Sequence, residues 1–468
     1  MDAKKFTLNA VSSLAPDIRS GCTALMFASN TGDVFKVKLL IRFGANLEIK
    51  DNAGTTALMW ASMRGQEACL KLLLGAGAHK EITDKNGSTA LMWASMCGQD
   101  KCLQRLIEAG ANTEPHDKEN DTPLFCATTF GHEKCLKLLI DAGVNVNIIN
   151  SELDTPLITA STNGYHGCVK LLIDAGAHLE ATNEDGKTAL MEAAFFGEPA
   201  CVSLLIDAGA NKETVDEDGQ TPLMQAAQEG SYECLKLLIN AGGNKEVTNL
   251  NGYTNLICAA MKGQEVCLKI LIEAGVDLNS VGESSRTALI WAAINGEDTA
   301  VQLLIEAKAD LEIADEDGKT ALMHAAALGR YNCLALLIEA LANMEAVDMN
   351  GCTALMQAAQ ECTYECVKML MDAGANKEAA DEDGQTSLML GDDKCMKLLI
   401  DAGANKNAVD RDGNTALMQV AMYGHDEYVE FLINAGAQIN VVNKDGETAL
   451  DMARRSGHGA SVRLLETL

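Results

Sequence analysis

The sequence predicts an all-α protein, a solenoid of about fourteen helix-turn-helix units with β-turn fingers. Two observations support this fold class. A threonine returns every 33 residues along nearly the whole chain, and a leucine follows two places after each threonine. A fixed period of this length is typical of stacked supersecondary units that bury their apolar faces against their neighbours. The threonines are Thr23, Thr56, Thr89, Thr122, Thr155, Thr188, Thr221, Thr254, Thr287, Thr320, Thr353, Thr386, Thr415 and Thr448.

The unit at residues 216–248 shows why each element is expected. It opens with Asp-Glu-Asp-Gly, a turn sequence in which Gly219 supplies a positive φ. Thr221 then caps the first helix through its hydroxyl, and Pro222 takes the first helical position, where a missing N–H costs nothing. We predict that the first helix ends at Gly230.

The second helix of this unit is predicted from Tyr232 to Ala241. Its residues are mostly apolar, so Lys236 marks the solvated outer face. Gly242 follows as a C-cap. Lysines at the same position of other units are expected to lie on the same face: Lys71, Lys137, Lys170 and Lys269.

Ten of the sixteen cysteines occupy one position of the second helix. Packed helices lie roughly 8–10 Å apart, whereas a disulfide needs Cα atoms within about 7 Å. We therefore predict that these thiols fill the core in place of small aliphatic side chains, which favours a reducing compartment. The ten are Cys69, Cys102, Cys135, Cys168, Cys201, Cys234, Cys267, Cys333, Cys366 and Cys395.

The composition limits the partners and the compartment. A formal net charge of −29 disfavours nucleic acid, which needs clustered basic residues. The charge indicates either solubility of a long body or a preference for basic partners. We find no secretory signal and no apolar run long enough to span a bilayer. The predicted location is cytoplasmic, with the nucleus as the alternative.

The unit resembles the ankyrin repeat, which has a 33-residue period and the pattern T-P-L-H-x-A. Thr221-Pro222-Leu223 and Ala226 match that pattern, and the resemblance covers residues 23–468. It implies a curved stack in which first helices line the concave side and partner proteins bind along that side and the fingers. Methionine replaces the histidine, so we expect its hydrogen bonding to be lost and the packing to be more apolar. These are Met26, Met59, Met92, Met191, Met224, Met323, Met356, Met389 and Met418.

The repeat divides the chain into three parts. Residues 1–22 are an N-terminal cap or a frayed half-repeat, and residues 23–447 are an array of thirteen repeats. The repeat at 386–414 is four residues short, which removes about one turn of its first helix. Residues 448–468 are a C-terminal capping repeat, because polar residues replace apolar ones there. These polar residues are Asp451, Arg454, Arg455 and Arg463.

Several units lack a glycine where the pattern requires a positive φ. Each such residue costs on the order of 1 kcal/mol. The departures concentrate between residues 285 and 391, which indicates either drift in a tolerant array or a softer joint that acts as a hinge. The residues are Asn120, Leu153, Ser285, Lys308, Leu341 and Cys362.

Large aromatic and methionine side chains share one face of the predicted first helices. They lie four, seven or eight residues after the threonine, positions that line one helical face. Either this register is half-buried packing or it is a partner-binding stripe on the concave side, since such residues are over-used at interfaces. The candidate residues are Phe27, Trp60, Met63, Arg64, Trp93, Met96, Phe130, Phe195, Phe196 and Trp291.

Acidic pairs in the fingers form a second candidate binding surface. Asp is common in turns for its own conformational reasons, so these pairs are either solvated turns or contacts for basic partners. A calcium loop is rejected because its spaced ligands are missing. The pairs are Glu184 and Asp185, Glu217 and Asp218, Glu316 and Asp317, and Glu382 and Asp383.

The sequence indicates a binding protein rather than an enzyme. It has no phosphate-binding glycine loop, nucleophile motif or metal-ligand spacing, so no cofactor or metal is predicted. We predict a monomeric protein-protein interaction scaffold or adaptor. The alternatives are an architectural spacer or elastic element, or a regulatory or inhibitory subunit of a larger complex.

Overall fold

The computed structural model describes residues 21–466 and contains fourteen helix pairs and no strand in that range. The predicted all-α class is therefore confirmed. The first helices of the pairs are α1 (Ala24–Thr31), α3 (Ala57–Met63), α5 (Ala90–Met96), α7 (Pro123–Thr129), α9 (Pro156–Thr162), α11 (Ala189–Phe196), α13 (Pro222–Glu229), α15 (Asn255–Met261), α17 (Ala288–Asn295), α19 (Ala321–Ala327), α21 (Ala354–Gln360), α23 (Ser387–Leu390), α25 (Ala416–Tyr423) and α27 (Ala449–Ser456). The second helices are α2 (Val34–Arg42), α4 (Glu67–Gly75), α6 (Asp100–Glu108), α8 (Glu133–Asp141), α10 (His166–Asp174), α12 (Pro199–Asp207), α14 (Tyr232–Asn240), α16 (Glu265–Glu273), α18 (Asp298–Glu306), α20 (Tyr331–Glu339), α22 (Tyr364–Asp372), α24 (Asp393–Asp401), α26 (Asp426–Asn434) and α28 (Gly459–Glu466).

The repeating threonine is the N-cap of the first helix, as predicted. In thirteen of the fourteen units its hydroxyl oxygen accepts the backbone N–H three residues on, at 3.2–3.4 Å. This bond satisfies one of the four N–H groups that a helix leaves open at its start. The exception is Thr386, which occupies the N-cap position but whose hydroxyl accepts no capping hydrogen bond.

In five of the nine units that carry it, the methionine three residues after the threonine accepts a hydrogen bond, contrary to the expectation that replacing histidine would lose it. The Thr56 N–H donates to Sδ of Met59 at 3.4 Å, and Thr353 and Met356 repeat this geometry. A thioether is a weak acceptor, but here it closes a reciprocal capping box. The same contact joins three further pairs: Thr23 and Met26, Thr188 and Met191, and Thr415 and Met418.

The helices form two layers in each part of the fold, because first helices pack on first helices and second helices on second helices of adjoining repeats. The predicted cysteine position lies between the layers. Cys102, Cys135 and Cys168 are fully buried, and the thiols in the described chain are free. Lys137 and Lys170 are exposed one residue beyond the buried leucine or valine, as predicted for the outer face.

Two hydrogen-bond ladders join neighbouring repeats. In one, a finger N–H donates to the carbonyl oxygen of the preceding finger, as Lys118 does to Asn86 at 2.9 Å. In the other, a carboxylate beyond the second helix accepts a backbone N–H from the next repeat, as Glu81 does from Asn112 at 3.0 Å. The first ladder uses backbone groups alone, so finger side chains can vary without breaking it, whereas the second needs a side-chain oxygen at each step.

Every non-glycine residue predicted to adopt a positive φ does so. Leu341 has a φ of 65° and its side chain is 88% exposed, so it gains no packing in return for the strain. Ser284, which the sequence did not reveal, joins them beside Ser285 in a short 3-10 turn. The other residues are Asn120, Leu153, Lys308 and Cys362.

The short repeat at 386–414 loses its helical turn as predicted, since α23 has four residues where other first helices have seven or eight. The cost is local. The hydroxyl groups of Thr386 and Ser387 are buried without a hydrogen-bond partner among the described residues. The truncation therefore leaves polar groups unsatisfied that a full-length helix would pair.

The chain forms two compact units. The first extends to Ala226 and includes Glu233–Gly243, and the second holds Ala227–Tyr232 and the chain from Asn244 onward. The irregular segment 285–391 lies inside the second unit. The predicted N-terminal cap lies outside the described residues except for residues 21 and 22. The polar residues of the predicted C-terminal cap, Asp451, Arg454, Arg455 and Arg463, are exposed.

Candidate partner-binding surface

In seven repeats one side-chain pair ties the finger to the first helix of the same repeat. The pair joins the residue five before the threonine to the residue four after it. Asp51 accepts the Nε1–H of Trp60 at 3.1 Å, and Asp84 accepts that of Trp93 at 2.9 Å. The other oxygen of Asp51 accepts the N–H groups of residues 53 and 55, which holds the turn. One carboxylate thus holds the turn of the finger and bonds the finger to the first helix.

The two members of this pair match as donor and acceptor. Where the helix residue is a donor, the finger residue is an aspartate, as in Gln225 to Asp216 at 2.8 Å and Gln357 to Asp348 at 2.6 Å. Where the helix residue is the acceptor Glu192, the finger carries Asn183, whose amide donates at 3.1 Å. Buried polar groups need such partners, so the polar residues of this register are structural.

The two tied tryptophans differ in how much surface they offer. Trp60 is 5% exposed and the neighbouring Met63 is 7% exposed, so both lie in the core of the first unit. Trp93 and Met96 are half-buried. A partner could therefore reach the second tryptophan but hardly the first.

The remaining predicted residues lie at or near the surface of the first helices. Phe27 is 46% and Phe196 38% exposed, and the Phe196 ring meets that of Phe195 edge to face at 5.0 Å between centroids. Phe130 is half-buried. Arg64 is partly committed, since its Nε donates to Asn30 at 2.9 Å. We use "first-helix surface" for Phe27, Trp93, Met96, Phe130, Phe195 and Phe196, all in the first unit.

The acidic finger residues are all exposed. Glu184 and Asp185 lie at the tip of one finger, where Lys187 pairs loosely with Asp185 at 3.8 Å. Surface pairs of this kind contribute little to stability. The carboxylates of Glu217, Asp218, Glu316, Asp317, Glu382 and Asp383 are exposed in the same way.

Trp291, in the second unit, has a different environment from the other two tryptophans. Its finger carries Gly282 in place of the aspartate, and its Nε1–H has no partner among the described residues. The guanidinium of Arg286 lies over its ring at 5.2 Å, and Arg286 Nε donates to Asp315 of the next finger at 3.2 Å. This tryptophan faces a cation supplied by the chain itself.

Asp315 is the most heavily bonded carboxylate of this cluster. His324 lies 2.8 Å from the same oxygen that Arg286 reaches, and the other oxygen accepts two backbone N–H groups. Burial alone would raise the pKa of Asp315, but these hydrogen bonds outweigh it and the pKa is lowered. Burial lowers the pKa of His324 despite its carboxylate partner, so the charged pair at neutral pH is Asp315 with Arg286.

The finger-to-helix tie was missed from the sequence, although a signal for it exists. Asp or Asn stands nine residues before Trp, Gln, His or Glu in seven of the fourteen units. Read as a pair, that spacing would have shown that Glu192, Gln225 and His324 are buried structural residues. Read singly, these residues suggest an exposed register.

Comparison with known families identifies the chain. Models of ankyrin repeats match residues 2–84, 67–150, 144–216, 192–282, 267–348 and 385–466, and a single-repeat model matches 350–382. The chain belongs to the ankyrin repeat family. Family membership indicates a protein-protein interaction domain. No significant match to a curated protein sequence is found.

Solved structures resemble parts of the chain. The human ASB11 ankyrin repeat domain is 30% identical with a TM-score of 0.44, and the alignment covers 48% of this chain and 99% of that domain. The ankyrin repeat domain of Bcl-3, a member of the IkappaB protein family, is 27% identical with a TM-score of 0.43, over 47% of this chain and 99% of that one. None of the helices in residues 21–466 is long and apolar enough to cross a membrane.

Proposed function

We propose that the protein is a non-catalytic scaffold or adaptor that binds partner proteins on its first-helix surface and its acidic fingers. The observation that carries the proposal is the exposure of large aromatic side chains, above all Phe27 and Phe196, where the fold does not require them. At the position of Phe196 other repeats carry Asn163 and Asn295. Exposed aromatic residues are the usual anchors of interfaces.

Charge supports the class of partner. The exposed finger carboxylates lie on an acidic chain with a net charge of −29. We propose that basic surfaces are attracted to them, because complementary charge speeds association and selects partners. The buried cysteines, which form no disulfide, support a reducing, intracellular location.

We expect the double variant Phe130→Asn, Phe196→Asn to lose partner binding while remaining folded. Asparagine occupies the same position in two repeats of this chain, so the helices should tolerate it. Partners are first identified by affinity purification from the native cell and then purified. Titration calorimetry should show at least about a tenfold loss of affinity for the variant.

The matched control is Phe35→Lys, Tyr331→Glu. It also removes two exposed aromatic residues, but from second helices, and it leaves the net charge unchanged. We expect this control to bind as the unmodified protein does. If both double variants bind normally, the assignment of partner binding to the first-helix surface fails.

A further inference from the structure

A cleft of about 220 Å³ opens between the third and fourth repeats of the first unit. Trp93, Met96 and Phe130 form its apolar walls, and Ser88 lies at its edge. Two of these are aromatic rings, whose faces attract cations. The cation–ring contacts seen among the described residues lie elsewhere, at Phe195, Trp291 and Tyr364.

The charged lining of this cleft is mainly acidic. Asp117, Glu119 and Asp121 contribute three carboxylates and Lys118 one ammonium group. One oxygen of Asp117 accepts the N–H groups of Glu119 and Asp121. The residue nine places on, in the first helix of this repeat, is Cys126. It takes the place of the tryptophan, glutamine or histidine that donates to the second oxygen of the finger aspartate in other repeats. Burial accordingly raises the pKa of Asp117.

The second unit shows what fills the equivalent place. There Arg286 stands one residue before the threonine, over Trp291 and against Asp315 of the next finger. In the cleft the corresponding residues are Ser88, Trp93 and Asp117, at the same spacings. Tryptophan and aspartate are kept, and the cation between them is replaced by a serine. The cleft also differs in carrying Asp84 in place of Gly282 and Cys126 in place of His324.

We propose that the cleft receives an arginine side chain from a partner protein, with its guanidinium over Trp93 and beside Asp117. The partner's arginine takes the position that Arg286 holds within the second unit. Met96 and Phe130 contact its methylene groups, as apolar walls do for long basic side chains. Arginine is favoured over lysine because a planar guanidinium stacks on a ring and pairs with a carboxylate simultaneously. This inference rests on the proposed function and names the chemistry of one of its contacts.

The test uses the full chain labelled with ¹⁵N-tryptophan, which gives three indole signals. The probe is the peptide acetyl-Gly-Arg-Gly-amide, and the control peptide carries citrulline, a neutral isostere of arginine. We expect the arginine peptide to shift the Trp93 indole signal saturably. Trp60, which is buried, and Trp291, which is already covered by Arg286, should stay in place. The citrulline peptide should shift none of them.

Two variants sharpen the result. The variant Asp117→Asn keeps the turn, because Asn150 and Asn183 accept the same N–H groups in their own fingers. It should weaken binding of the arginine peptide about tenfold. Ser88→Arg should fill the cleft from within and abolish the shift. The proposal is overturned if citrulline shifts Trp93 equally, if either variant binds like the unmodified chain, or if Trp93 does not respond. Partner loss in Phe130→Asn, Phe196→Asn without a Trp93 response would overturn the cleft alone.

Discussion

The protein is expected to be strongly destabilised when the pH is raised to about 10, because its core contains thiols that ionise only when they are exposed. Burial raises the pKa of Cys102, Cys135 and Cys168 to about 12, from an ordinary value of 9.0. Burial is also the largest cause at four further thiols with a pKa of about 12: Cys201, Cys234, Cys258 and Cys333.

The direction of the effect follows from which state of the chain, folded or unfolded, loses its thiol protons first. Since the folded-state pKa values lie above the unfolded ones, the unfolded chain deprotonates first as the pH rises. The stabilisation is complete below about pH 9 and is lost progressively toward pH 12. By pH 10 the loss is roughly 1–2 kcal/mol per thiol, or roughly 10 kcal/mol for the seven. That is large enough to lower the midpoint of urea unfolding clearly between pH 7 and pH 10.

The control removes thiols without changing the fold. Ala300 occupies the cysteine position in α18 and is fully buried, so alanine is accepted there. In the variant Cys135→Ala, Cys168→Ala, Cys201→Ala the alkaline loss at pH 10 should be about 4 kcal/mol smaller. Helical circular dichroism against pH, with urea titrations at pH 7 and 10, measures it. The cost of the cavities that alanine leaves cancels when the stability of each protein at pH 10 is compared with its own stability at pH 7. An equal alkaline loss in both proteins would contradict the prediction.

Asp315→Ala is expected to destabilise the second unit by about 3 kcal/mol, because it leaves a half-buried arginine and a buried histidine unpaired. The carboxylate accepts from Arg286, lies against His324 and holds two finger N–H groups. Its side chain is 1% exposed, so water cannot replace these bonds in place. Urea unfolding and amide exchange across residues 286–324 measure the loss.

Two milder variants serve as controls for that prediction. His324→Gln should cost almost nothing, because Gln225 and Gln357 already make the same bond to a finger aspartate. Asp315→Asn should fall between the two, since it keeps the turn but loses the charge that faces Arg286. If His324→Gln were as costly as Asp315→Ala, the finger-to-helix tie would not be the source of the stability.

Much of the fold could be predicted from the repeat because the signals are local. Thr221, directly before Pro222, caps its helix through its own hydroxyl. Leu341 stands where other repeats carry glycine, so a positive φ is predicted there whatever the surrounding structure. The missing turn before Thr415 was equally visible. Each of these depends on a few adjacent residues, so no tertiary information was needed.

The site was less predictable because its pairs join different elements. Trp60 and Trp93 hold the same position in their repeats, and each donates to the aspartate of its own finger. One is nevertheless buried and the other half-buried. The difference depends on how neighbouring repeats cover each ring. Met59 likewise looked purely apolar, and its hydrogen bond to Thr56 depends on the rotamer that brings Sδ to the cap. Residue type alone does not specify either feature.

The most direct test of the scaffold proposal is to locate where a purified partner touches the first unit. A photo-crosslinking amino acid is placed singly at Phe130, Phe196 and Glu184, and at Lys137 and Lys170 on second helices of the same unit. We predict that the partner crosslinks from the first three positions and not from the two lysine positions. Crosslinking confined to the lysine positions, or equal at all five, would contradict the assignment of the binding surface to the first helices and fingers.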